Sequence, residues 1–207
     1  MKSPYSTAKL VLPAVLSMLA LASALLVTAP ADAASAARPA QAPVAEATPS
    51  PVVSPPFVDD ERRHVVQNVR TNGYLIHEGY SAPGCVNCYV LAWTAGVTPP
   101  ANEWFFEEGQ VRGGYLWFRM RNAKSNLCAA PGRIVDGLPS VVSKDCSSTN
   151  EFLWRAEPDR EGDWRTVKFV SSITRNAIRP VYGAGPNEFV VLADDGYSPN
   201  YYWSVSR

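Results

Sequence analysis

Three tryptophans constrain this chain more than any other feature. Trp104, Trp154 and Trp203 stand 50 and 49 residues apart, in Asn102-Glu103-Trp104, Asn150-Glu151-Phe152-Leu153-Trp154 and Asn200-Tyr201-Tyr202-Trp203. Matching strings lie upstream. Asn68-Val69-Arg70-Thr71-Asn72-Gly73-Tyr74-Leu75 and Asn122-Ala123-Lys124-Ser125-Asn126-Leu127-Cys128-Ala129 share a strand end, a polar turn and a strand start, and Val170 to Ala177 offers a third copy. A further apolar strand precedes each Asn…Trp element, at Tyr89 to Trp93, Ser140 to Ser143 and Phe189 to Leu192. A period of about 50 residues marks a repeat architecture, in which a unit that cannot cover its own apolar face is covered by its neighbours.

The apolar segments within each unit are short, β-branched or aromatic, and bounded by Gly, Pro, Asn and Asp. Tyr115 to Phe118, Val167 to Val170, Phe189 to Leu192 and Tyr201 to Trp203 all read this way, and none carries a sustained helical period. The expected fold class is all-β. Three units of four strands, with bounds near 64–112, 113–160 and 163–207, close a small barrel and cap it, which is a β-trefoil. A sandwich with coincident tryptophan spacing is the alternative, and it leaves the matching upstream strings unexplained.

Upstream of this domain, Lys2 and Lys9 precede an apolar run from Leu10 to Thr28, and Ala31-Asp32-Ala33 supplies a small-x-small cleavage pattern. Residues 1–33 therefore read as a secretory signal peptide. An uncleaved anchor is the competing reading, but no basic cluster follows to stop transfer. Residues 34–56 hold seven Ala and six Pro among 23 positions. Such a segment buries too little apolar surface to offset its ordering entropy, and is expected to act as a disordered, semi-rigid spacer. The folded domain is expected over 57–207. The expected location is secreted, with no membrane association after cleavage.

Composition then removes whole classes of function. The chain has 19 basic and 19 acidic residues, and after residue 33 the balance is 17 to 18. Nucleic-acid binding needs a basic excess, so no nucleic-acid partner is expected. Only two histidines occur, His64 and His77, and both precede every strong motif. No phosphate-cradling glycine loop, zinc-protease motif or nucleophile elbow is present. No cofactor, no metal site and no catalytic residue is expected. Glu107 and Glu108 are adjacent on an expected turn and cannot flank one glycosidic bond.

Repeat two carries a family resemblance. From Trp117-Phe118-Arg119-Met120-Arg121-Asn122 through Cys128, Asp136-Gly137, Val141-Val142 and Cys146 to Trp154, it resembles the ricin B-type β-trefoil lectins. The resemblance covers about 145 residues, densely only in this repeat. It implies a disulfide between Cys128 and Cys146. Cys85 and Cys88, in Cys85-Val86-Asn87-Cys88, fall outside the family's cysteine positions. They are read as a short disulfide stiffening a loop, with redox or metal chemistry as alternatives and crossed pairings formally open.

The resemblance also implies sugar sites, each made of a carboxylate just after the first cysteine position, an aromatic near the second, and an Asn before the tryptophan. The carboxylate positions correspond to Ile76, Ala130 and Ile178, so all three repeats lack it. The aromatic positions are Trp93, Lys144 and Ala193, and the Asn positions are Asn102, Asn150 and Asn200. Repeat one keeps the best site, with Trp93 stacking and Asn102 and His77 or Glu78 hydrogen-bonding. Repeat three offers Asp194, Asp195, Tyr197 and Asn200 in one loop.

The expected function is thus a secreted, non-catalytic, lectin-like protein whose partner is a glycan or cell-surface polysaccharide. A second reading is a protein-binding trefoil similar to the binding subunits of cytolethal distending toxins, with exposed aromatics such as Trp117 and the Tyr201-Tyr202 pair facing the partner. A trefoil protease inhibitor is a third, for which Arg133 in Pro131-Gly132-Arg133-Ile134 is the one candidate.

Overall fold

The computed structural model describes residues 52–207, apart from 79–84, 95–96, 186 and 195. The expected signal peptide and most of the expected spacer lie outside the described residues.

Six strands close a ring. β1 (His64–Asn68) pairs with β4 (Glu103–Arg112), β4 with β5 (Tyr115–Asn122), and β5 with β8 (Trp154–Arg160). β8 pairs with β9 (Asp163–Ser171), β9 with β12 (Trp203–Ser206), and β12 returns to β1. Three hairpins cap the ring: β2 (Tyr74–His77) with β3 (Val90–Trp93), β6 (Cys128–Val135) with β7 (Leu138–Lys144), and β10 (Ala177–Pro180) with β11 (Glu188–Ala193). β11 binds both β3 and β7, which joins the hairpins into one cap. All pairings are antiparallel, so the expected all-β trefoil is what the described residues form.

Side chains alternate between the barrel interior and the outside, as a period of two requires; β1 is buried at His64, Val66 and Asn68. Trp104, Trp154 and Trp203 are all fully buried. Their indole N–H groups donate to the carbonyls of Leu75 at 2.7 Å, Ala129 at 2.9 Å and Ile178 at 3.2 Å. Each tryptophan therefore fills the core and ties a barrel strand to a cap strand.

A second threefold device sits at the barrel rim. Asn68 Oδ1 accepts from the amides of Arg70 and Thr71, and Asn122 Oδ1 from those of Lys124 and Ser125. In repeat three the hydroxyl of Ser171 accepts from Ile173 and Thr174. The turns that follow place Asn72, Asn126 and Arg175 in the left-handed region, at φ 58°, 59° and 63°. The third copy is therefore aligned from Ser171, one residue later than the sequence string starting at Val170. The short expected strand Tyr201 to Trp203 is also different, because Pro199–Tyr201 is a 3-10 turn and the strand begins at Trp203.

The open end of the barrel is plugged by chain from ahead of β1. Phe57 is buried, 4.8 Å from Phe106, 6.0 Å from His64 and 6.3 Å from Phe118 between ring centroids. Phe106 in turn stacks on Phe169 at 5.6 Å. The Asp59 amide donates to the Phe106 carbonyl, and Asp59 Oδ2 accepts from the Gly109 amide at 2.9 Å. Both carboxylate oxygens of Asp60 lie 3.0 Å from His64 Nε2. Pro55 is also buried, so packing begins two residues ahead of the expected boundary at Phe57.

Glu107 and Glu108 occupy a bulge inside β4 rather than a turn, and pair with Arg121 and Arg119. Arg133 lies within β6, its guanidinium 4.2 Å from the Tyr89 ring centroid, so it does not crown a protruding inhibitory loop.

Candidate functional site

Cross-strand register fixes which residues share a place in the three repeats. Tyr74 pairs with Trp93, Cys128 with Lys144, and Ala177 with Ala193. Trp93, Lys144 and Ala193 are therefore equivalent, as the sequence expects, and repeat one alone has an aromatic there. Trp93 ends β3 and is partly exposed. The same register makes Ile76, Ala130 and Arg179 equivalent, because they face Leu91, Val142 and Val191. Repeat three thus carries Arg179 where the sequence alignment placed Ile178. Its Nη1 donates to the Pro180 carbonyl at 2.9 Å, and the guanidinium lies 5.9 Å from the Tyr201 ring centroid. A cation occupies the place where the resemblance implies an anion.

His77 and Glu78 stand at the other end of the β2–β3 hairpin from Trp93. His77 pairs with Val90, three positions from Trp93, or about 10 Å along the strand. His77 is 2% exposed, and among the described residues neither ring nitrogen has a hydrogen-bond partner. Burial lowers its pKa, against a weaker opposing pull from Glu78, so the ring is held neutral. Glu78 Oε2 accepts from the Tyr89 amide at 3.0 Å, while its own amide donates to the Tyr89 carbonyl at 2.7 Å. These two residues clamp the hairpin and do not converge with Trp93.

The three asparagines occupy different places. Asn68 Nδ2 donates to the carbonyls of Asn200 and Tyr202, and Asn122 Nδ2 to those of Ala101 and Glu103. Asn200 therefore matches Ala101, and Asn102 stands one residue further on. Asn102 is buried, with its Oδ1 unpartnered among the described residues. Asn150 opens a 3-10 turn and is exposed, its Oδ1 accepting from Arg112. The side chain of Asn200 packs directly on the backbone of Gly183, whose φ of +63° and missing Cβ make that approach possible. Asp194 is exposed just beyond β11, and Tyr197 is 93% exposed with Lys168 Nζ 5.5 Å from its ring centroid. Asp195 lies outside the described residues. With Asn200 turned against Gly183, the repeat-three loop presents Tyr197 without that amide.

Trp117 is not an exposed patch residue: it is 4% exposed, and its indole N–H donates to the Arg112 carbonyl at 3.1 Å. Tyr201 and Tyr202 are partly buried. The cysteines pair as Cys128–Cys146 and Cys85–Cys88. The second bridge closes a loop docked on β7, where the Asn87 amide donates to Ser143 O and the Ser143 amide to Cys88 O. Arg179 was the residue most easily missed; only the Ser171-for-Asn exchange in the preceding turn shifts the alignment to it.

No protein-family model matches the sequence, and no curated protein matches it. Solved structures do match its fold. A designed threefold-symmetric protein, ThreeFoil, superposes with a TM-score of 0.58 at 13% identity, over 70% of this chain and 98% of that one. The ricin B-like lectin of Macrolepiota procera, solved in complex with lactose, gives 0.54 at 14% identity over 76% of this chain and 99% of the lectin. The cytolethal distending toxin of Haemophilus ducreyi gives 0.55 at 13% identity, over 76% of this chain and 89% of the matched chain. The chain is similar in fold to ricin B-like lectins and related trefoils.

Proposed function

We propose that this chain is an exported, non-catalytic, carbohydrate-binding trefoil whose primary sugar position lies in repeat one. The observation that carries the reading is the partly exposed Trp93 at the cap-hairpin position where repeats two and three have Lys144 and Ala193. An aromatic face there stacks on the apolar face of a pyranose, and the Asn102 amide is the nearest candidate in sequence for a hydroxyl. The lactose complex of the Macrolepiota lectin supports a neutral sugar on such a fold. His77 and Glu78 contribute by holding the hairpin. In repeat three the exposed Asp194 and Tyr197 form a secondary position, resting on Tyr197. The N-terminal 33 residues direct export.

The test is a glycan and cell-wall polysaccharide array, probed with the protein produced under oxidising conditions beside Trp93→Ala. Retention by the parent is expected, with a loss of about tenfold or more in the variant, or about 1.4 kcal/mol. Silence from a folded, disulfide-bonded sample overturns the reading, and a protein partner then becomes the better account. The absence of a carboxylate at all three expected places favours that second reading.

A further inference from the structure

The far end of the β4–β5 hairpin lies against the turn that follows β9, and between them is a cleft of about 370 Å³. The hairpin contributes Arg112, Tyr115 and Trp117, and the turn contributes Ser172 and Arg175. Trp117, fixed by its bond to the Arg112 carbonyl, forms a rigid wall with the Arg175 guanidinium 5.3 Å from its ring centroid. Arg155 lies 4.2 Å from the ring centroid of Tyr115, which is still 50% exposed. The charge of Arg155 is answered by Glu157 at 2.5 Å.

The other two arginines differ. Arg112 Nη1 donates to the neutral Asn150 Oδ1 at 2.5 Å, and among the described residues neither Arg112 nor Arg175 has a carboxylate within ion-pair distance. No Asp or Glu lines the cleft. Two cations without a carboxylate partner, one from each side of the same cleft, concentrate positive potential there, although the chain as a whole is neutral.

The backbone points the same way. Arg175 sits at φ 63°, where the equivalent turns carry Asn72 and Asn126. Asparagine tolerates the left-handed region far better than a long side chain does. The turn by itself selects asparagine, and repeat three departs from that choice at the residue that supplies a cation to the cleft.

We propose that this cleft binds an acidic saccharide. Arg112 and Arg175 hold its carboxylate or sulfate, whose oxygens match the guanidinium fork. The open part of the Tyr115 ring supports the sugar ring, while the Asn150 amide and the Ser172 hydroxyl, which donates to the Asn150 carbonyl, stand beside the cations to meet sugar hydroxyls. Neutral hydrogen-bonding groups next to an aromatic and paired cations, in a volume at the small end of ligand pockets, suit one charged pyranose better than an acidic peptide segment. The cleft shares no residue with the repeat-one position, so this inference does not depend on Trp93.

The test is calorimetric titration of the protein with trigalacturonate, a sulfated disaccharide and neutral maltotriose, in parent, Arg112→Gln and Arg175→Asn. Arg175→Asn restores the residue that the other two turns use, so its fold is expected to be at least as stable as the parent's. One or both acidic sugars are expected to bind, with weakening of about tenfold or more in each variant and on raising salt, and no effect of Trp93→Ala. Which acid binds distinguishes carboxylate from sulfate recognition. Maltotriose binding that both arginine variants weaken as much as they weaken acidic-sugar binding, indifference of acidic-sugar binding to both variants, binding of a glutamate-rich peptide in place of the acidic sugars, or no binding to a folded sample overturns the proposal.

Discussion

At the scale of single residues, the fold is held by polar atoms inside an apolar shell. Asn122 is 1% exposed, and one side chain reaches two carbonyls and two amides across the junction of repeats one and two. Buried polar groups that lose their partner carry the full desolvation penalty, so Asn122→Ala is expected to destabilise by about 2–3 kcal/mol. Repeat three shows the intermediate case, since the Ser171 hydroxyl serves the two amides alone. Asn122→Ser is therefore expected to lose roughly half as much as Asn122→Ala. Urea unfolding of both variants checks this; equal losses would show that the hydroxyl restores nothing and that the carbonyl-facing amide carries the whole effect. The same exchange is why the sequence pattern places repeat three one residue early. Serine and asparagine present an acceptor at similar reach, so the turn survives while the letter pattern does not.

At the scale of elements, the segment ahead of β1 is the piece least legible in the sequence. A Pro-rich spacer running into Phe57 gives no periodic signal, yet Phe57 closes the aromatic cluster of the barrel mouth and Asp60 latches onto His64. Burial alone would raise the Asp60 carboxyl; the hydrogen bond to His64, the Arg62 amide and the nearby charges of His64 and Arg207 outweigh it and hold the group below its ordinary value. A carboxylate depressed on folding contributes stability that is present above the unfolded value, near 3.9, and is lost as pH falls through the lower folded value. Asp60→Asn is expected to be less stable than the parent at neutral pH, and the gap is expected to close on acidification below about pH 4. Chemical denaturation across that range reads it, and a constant gap would assign the effect to shape rather than charge. The cap hairpins were far more legible than this plug. Their strands carry short apolar runs just ahead of each tryptophan, and the ricin B-type resemblance leads to the Trp93 position. The arginine cleft was not legible, because Arg112 and Arg175 are separated by a whole repeat and meet only when the β4–β5 hairpin reaches the neighbouring turn.

At the scale of the molecule, the core keeps threefold symmetry and the surface does not. The three buried tryptophans are interchangeable in role, whereas one repeat has an aromatic at its outer position, one a lysine and one an alanine. These surface differences therefore sit on a scaffold whose integrity depends on closing the ring, and closure is long-range: β1 pairs with β12 from Val65↔Ser206 to Asn68↔Trp203. The Cys128–Cys146 bridge, by contrast, spans 18 residues within repeat two. In the chain-entropy account a loop of that size contributes about 3 kcal/mol, against a total of roughly 5–15 kcal/mol for a domain. Cys128→Ser/Cys146→Ser is then expected to stay folded, with a lower urea midpoint and little change in the steepness of unfolding. A chain ending at Tyr202 loses Trp203 and leaves β1 and β9 without their shared partner, so it is expected to show no cooperative transition at all. If the cysteine variant unfolds and the shortened chain does not, the covalent bridge rather than ring closure holds this trefoil together.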